Sequence, residues 1–306
     1  MTVGLNYDNR KTAVVIADTE VSGYGRKSDS FTKLEQIAND NYHVVIFGTG
    51  LGNDLGRILN KKQLLQEEKL DDFIKNIQEE LKKELERRMQ NYIDANKKSI
   101  EIAASAIADE KRKRQFVDNE TGKLLRGYEE YQRDMGQSLI SVVGYDKEED
   151  RIRKFHVTYV DYSEGFIPAD QIGSGKDGAH MYFSKKTQGI DPVELTTADL
   201  LFHAASAYSW STTNIGVGGT PRIAIIDKDG VQIKEGNEVA ALTTATNAYQ
   251  AELLTKEEIN KVVKQMLSKR GISYRQLAKK LGFSEENLKA AMIPYETLQE
   301  IANKRK

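Results

Sequence analysis

Two short apolar runs in the first fifty residues limit what this chain can fold into. Ala13-Val14-Val15-Ile16-Ala17 and Val44-Val45-Ile46-Phe47 carry no polar alternation, the pattern of strands covered on both faces. Ahead of the first run Val3, Leu5 and Tyr7 alternate, and Asp8 to Lys11 supplies turn residues, so residues 2–7 and 12–18 are read as a hairpin. A sheet with one face under a second sheet and the other under helices accepts both patterns.

The same stretch holds a candidate nucleophile. Thr2 follows Met1 directly, and a threonine with a free α-amine carries its own general base on the same residue. An unperturbed α-amine has a pKa of roughly 7.7–8.0, against about 10.4 for lysine, so it is the better base near neutrality. Asp18 and Lys33 stand near the ends of two β-like segments. A protonated Lys33 lowers the pKa of a nearby amine, and Asp18 holds the lysine charged and in place. Gly48 follows the second apolar run, where its backbone N–H is a candidate oxyanion donor.

These residues resemble the N-terminal nucleophile hydrolases of the proteasome β-subunit type. The resemblance rests on Thr2, the pair Ala17-Asp18, the step Ser22-Gly23, Lys33 opening Lys-x-x-x-Ile to Ile37, and Phe47-Gly48 before a helix from about Asn53. It resumes at Ile172-Gly173-Ser174-Gly175 and ends with Gly218-Gly219, a strand, and Asp229-Gly230. The resemblance implies an α+β fold, a four-layer αββα sandwich over residues 1–250, and a threonine peptidase or amidohydrolase working through an acyl-enzyme. It assigns catalysis to Thr2, Asp18, Lys33, Gly48 and Ser174, with no cofactor and no metal. Passing the acyl group to an amine, as a ligase or transpeptidase does, is equally open. It further implies a peptide or protein substrate, self-association into a ring or dimer, and an ATPase or regulatory partner. Active members usually carry an aspartate and a serine before the double glycine, where this chain has Asn214 and Val217. That departure favours the competing reading, a proteasome-fold scaffold or regulator of little activity.

Composition excludes several other classes. None of the 306 residues is cysteine, so disulfides, thiolate zinc sites and a cysteine nucleophile are ruled out. The net charge of −1 gives no global pull toward nucleic acid or anionic membrane. With no apolar run near the roughly 18 residues of a bilayer span and no signal-like segment after Met1, a soluble cytoplasmic protein is expected. The glycines at 48, 50 and 52 invite a dinucleotide-binding reading, but the third glycine of that fingerprint is Asn53 here. His43, His156, His180 and His203 are scattered without ligand spacing, so structural or surface roles are expected of them.

From Leu70, apolar residues recur at Phe73, Ile74, Ile77, Leu81, Leu85 and Met89, the period of an amphipathic helix. Residues 99–135 are read as a charged helical insertion whose run Lys111-Arg112-Lys113-Arg114 is a solvated face. Ser138 to Tyr145 and Arg151 to Tyr162 are β-like, Thr196 to Ala207 is helical, and Arg222 to Ile226 is a strand. Ser174 is either a hydrogen-bond partner of the Thr2 amine or a plain N-cap.

Residues 255–306 change character. Thr255 and Glu258 form a capping box, and Leu277-Ala278 with Gly282, Ser284 and Leu288 matches helix-turn-helix spacing. DNA binding by this three-helix tail is disfavoured by Glu285-Glu286 at the start of the would-be recognition helix. A protein-docking tail is equally open.

Overall fold

The computed structural model describes residues 3–18, 21–23, 26–28, 34–49, 67–135, 139–173, 175–212, 221–268, 273–282 and 295–305. Two five-stranded antiparallel sheets organise it, with a separate two-stranded ribbon of β3 (Val21–Gly23) and β4 (Arg26–Ser28). The first sheet contains β1 (Val3–Asp8), β2 (Ala13–Ala17), β10 (Ala169–Gly173), β11 (Arg222–Asp227) and β12 (Gly230–Lys234), in the order β10-β1-β2-β11-β12. The second runs β5-β6-β7-β8-β9, from β5 (Leu34–Ala38) and β6 (Tyr42–Thr49) through β7 (Leu139–Asp146) and β8 (Arg151–Val157) to β9 (Tyr162–Glu164).

Eight α-helices are found among the described residues: α1 (Leu70–Ser105), α2 (Glu110–Met135), α3 (Lys176–Lys186), α4 (Thr197–Ser211), α5 (Asn237–Gln250), α6 (Lys256–Leu267), α7 (Tyr274–Lys280) and α8 (Tyr295–Arg305). None is long and apolar enough to cross a membrane.

Side chains fall into three apolar clusters. One face of the first sheet gives Leu5, Tyr7, Val14, Ile16, Ile223 and Ile225 to a cluster with α3 to α8. One face of the second sheet, through Val44, Ile46, Ile140, Val142 and Phe155, packs under Phe73, Ile74, Ile77, Leu81 and Leu85 of α1. The third cluster draws on both sheets, with Ala13, Val15, Ala17 and Ala224 from the first and Leu34, Val45, Phe47 and Val143 from the second. The two apolar runs therefore lack alternation because each of their faces meets a different cluster.

The hairpin turn is built as its residues require. Asn9 Oδ1 accepts from the Lys11 and Thr12 amides at 3.0 and 2.7 Å, and Arg10 takes the left-handed conformation at φ 72°. Past Leu85, α1 leaves the sheet and packs with α2, whose Lys111, Arg112 and Arg114 are exposed. In the tail, Thr255 and Glu258 form the capping box, and Gly282 takes φ 92° at the end of α7. Ile259, Met266, Leu277 and Leu298 share the cluster of α4 and α5. The would-be recognition helix falls in 283–294, outside the described residues.

Candidate functional site

β1 is the central positioning element. It lies between β10 and β2, with Val3 paired to Gly173, and Gly4 to both Ile172 and Ala17. The beginning of β1 and the ends of β2 and β10 thus share one end of the first sheet. Asp18 follows β2 there and has no exposed surface.

The second sheet contributes its own corner. β5 starts at Leu34, which pairs with Phe47 of β6. Gly48 is half-buried and pairs with Ile140 of β7. The strand does not stop at Gly48 as the sequence suggested, because pairing continues to Thr49 opposite Leu139. The helix expected from about Asn53 lies outside the described residues.

Gly4 joins the two corners. A Cβ built on it would fall 2.5 Å from Phe47 Cδ2 and 3.3 Å from Ile172 Cγ1, so β1 at Gly4 lies in close contact with the Phe47 ring. Ala17, Leu34, Phe47 and Ile172 all belong to the cluster between the sheets. Of the five site residues expected from sequence, Asp18 and Gly48 are described; Thr2, Lys33 and Ser174 lie outside, as do Asn214 and Val217. Gly175, at φ −86° and ψ 0°, occupies the N-cap position of α3, and both readings of Ser174 lie outside the described residues.

The sequence reading missed a polar seam between the sheets. Lys154 of β8 donates to Asp8 Oδ2 of β1 at 2.5 Å, both side chains nearly inaccessible, and to the Ile167 carbonyl. Two residues on, His156 pairs with Asp170 of β10. Burial pushes the Asp170 carboxyl up, but the hydrogen bond and charge of His156 outweigh this and hold it below its ordinary value. Asn6 and Ser141 are fully buried, and neither side chain has a hydrogen-bond partner among the described residues. Alternation alone assigns Asn6, Asp8 and Lys154 to solvent; each is buried because its strand faces the other sheet, Asn6 and Asp8 the second and Lys154 the first. No group of three His, Asp or Glu able to hold a metal ion occurs among the described residues.

No protein-family model and no curated protein matches the chain. Among solved structures, Anbu from Hyphomicrobium sp. strain MC1 matches with a TM-score of 0.51 at 11% identity, covering 94% of this chain and 100% of that one. A Gly-1 mutant of Anbu from that strain gives 0.50 at 12% identity, over 76% and 85%. Anbu from Yersinia bercovieri, described as an ancestral β-subunit, gives 0.49 at 12%, over 76% and 86%. These findings correct the resemblance drawn from sequence: the structures named are Anbu, a proteasome-related fold, and at 11–12% identity they do not assign the chain to the proteasome β-subunit peptidases. The physical reason lies in the motifs, since Ala17-Asp18, Ser22-Gly23 and Gly173 mark strand ends and turns that any chain of this architecture needs. The chain has a proteasome-like α+β fold similar to that of Anbu, and at this identity the likeness extends to the fold alone.

Proposed function

We propose that the chain is an N-terminal threonine hydrolase that cleaves peptide or amide bonds, built on a four-layer αββα sandwich. One observation carries the reading: three strand registers point to the same corner. The last described pair of the β1–β10 ladder is Val3 with Gly173, next in sequence to Thr2 and Ser174. That of the β5–β6 ladder is Leu34 with Phe47, next in sequence to Lys33 and Gly48. The β1–β2 ladder ends at Gly4 with Ala17, next in sequence to Asp18. Phe47 against Gly4 brings these ladder ends together. The three apolar clusters support the four layers.

In this reading the Thr2 α-amine takes the proton from Oγ as Oγ attacks the substrate carbonyl. The oxyanion is met by the Gly48 N–H. The amine then passes its proton to the leaving nitrogen, the C–N bond breaks, and an ester on Thr2 remains. Water, deprotonated by the same amine, attacks the ester and releases the acid and the threonine. A carboxylate as buried as Asp18 requires compensation, and Lys33 is the cation proposed for it. Ser174 is proposed to hold the amine. The helices α6 to α8 are proposed as a protein-docking tail: their apolar residues pack on α4 and α5, which leaves the exposed polar face for a partner.

The reading requires a chain that begins at Thr2, so intact mass comes first. A peptide epoxyketone, which needs both hydroxyl and amine, is then expected to add one equivalent to the processed chain and none to Thr2→Ala. Equal labelling of the two proteins, or a retained Met1 in active material, would overturn it.

A further inference from the structure

A cavity of about 610 Å³ opens on the helical face of the first sheet, among α3, α4 and α5. That volume sits within the range of small-molecule sites, roughly 300–1,000 Å³. Its size follows from how the helices are spaced. At one end Gly178 lets α3 close on α4, since an added Cβ would lie 2.6 Å from the Trp210 carbonyl oxygen. At the other, Phe202 of α4 meets Tyr249 of α5 edge-on, with centroids 5.7 Å apart. Tyr182 and Trp210 form a second edge-on pair at 5.7 Å, so aromatic rings line both sides.

The interior is polar without being charged. The Tyr182 hydroxyl lies 2.9 Å from His203 Nδ1. Burial lowers the histidine's proton affinity and pushes the phenol up to about 12, so both are neutral at pH 7. Ser209 donates its hydroxyl proton to Asn247 Oδ1, so the Gln250 Oε1 3.4 Å away gets little from it, and Gln250 Nε2 is buried with no acceptor among the described residues. The charges present, Asp177 and Lys186, are exposed and of opposite sign. Met181, 47% exposed, stands at the mouth.

We infer that this cavity binds an uncharged, flat aromatic compound carrying a carbonyl at its edge, with the rings stacking or meeting edge-on along the walls and the carbonyl accepting from Gln250 Nε2. A neutral lining disfavours an ion, a buried donor without an acceptor selects for a carbonyl, and aromatic walls select for a ring.

The chain contains a single tryptophan, Trp210, in the wall itself, so binding is read from its emission without any catalytic assay. 2-Naphthamide is expected to quench that emission saturably below millimolar concentration. Gln250→Met, which keeps shape and removes the donor, is expected to weaken 2-naphthamide about tenfold and to leave 2-methylnaphthalene within about twofold. Thr2→Ala is expected to bind as the unaltered chain does, so the site and the hydrolase reading fail separately. The inference is overturned by the absence of a saturable response, or by Gln250→Met weakening both probes alike. An emission that follows protein dilution and ignores the probes overturns it in favour of a second copy covering the cavity.

Discussion

Gly4 leaves no space for a side chain, and this fixes how close the first sheet can come to the second at the candidate site. The Phe47 ring occupies the position where its Cβ would stand, and Phe47 is itself only 2% exposed. Gly4→Ala must therefore displace a packed ring, at a cost of about 1–3 kcal/mol. A lower denaturation midpoint is expected, with slower labelling of Thr2, and Phe47→Leu added to Gly4→Ala is expected to restore part of both. Full labelling in Gly4→Ala would mean that this contact does not set the site. Single residues were legible where one partner decides their fate. The alternation of Leu5 and Tyr7 marks one face of a strand, and both do share a face, packed against the helices. Asn6 and Asp8 look solvent-facing by the same alternation yet are buried, because a strand cannot announce from its own sequence that a second sheet will cover its other face.

At the scale of elements, the helix from Leu70 was the most legible, because its apolar stripe repeats with the helical period and its other face is charged. α5 left no such trace: Val239 to Ala248 are buried all round, so no periodic contrast marks it. The run Arg151 to Tyr162 divides into β8 and β9 because Thr158 Oγ1 accepts from the Val160 and Asp161 amides and turns the chain. What anchors α1 is Arg153 of β8, which donates to Asp71 in the first turn of the helix at 2.9 and 3.0 Å, to Asp146 at 3.1 Å and to Glu164 at 2.8 and 3.0 Å. Its hydrogen bonds hold the carboxyls of Asp71 and Glu164 below their ordinary values. Groups depressed in this way contribute stability that is complete above the unfolded pKa, about 4, and is lost as pH falls through the folded values. Stability is thus expected to decline below about pH 4. Asp71 is largely exposed, so the solvent-screened share falls to it and the larger share to Glu164. Arg153→Met is expected to lose about 3 kcal/mol at pH 7 and to show a flatter decline below pH 4. Denaturant unfolding at pH 7 and pH 3.5 measures both, and parallel curves for the two proteins would refute this role for Arg153.

For the whole molecule, the proposal draws on both sheets: Thr2, Asp18 and Ser174 are next in sequence to strands of the first, Lys33 is next to a strand of the second, and Gly48 lies in one. Whatever fastens one sheet to the other therefore also sets the geometry of the chemistry. Apolar contact does most of this, but it is non-directional and tolerates sliding. The Lys154–Asp8 pair is directional and nearly inaccessible, with side chains 5% and 6% exposed. Removing one partner leaves an uncompensated charge in the core, so Lys154→Met is expected to cost about 3–5 kcal/mol. Neutralising both partners should not. In Asp8→Asn with Lys154→Met, the amide keeps an oxygen for the Arg10 N–H, which now donates to Asp8 Oδ1 at 3.1 Å, and no charge is stranded. More than half of the lost stability is expected to return. If the pair also sets register between the sheets, Thr2 labelling will stay slow in the double variant even after stability recovers. Recovery of stability and labelling together would show the pair to be a tolerated charge pair with no hand in alignment, leaving the Phe47–Gly4 contact to align the two halves of the site.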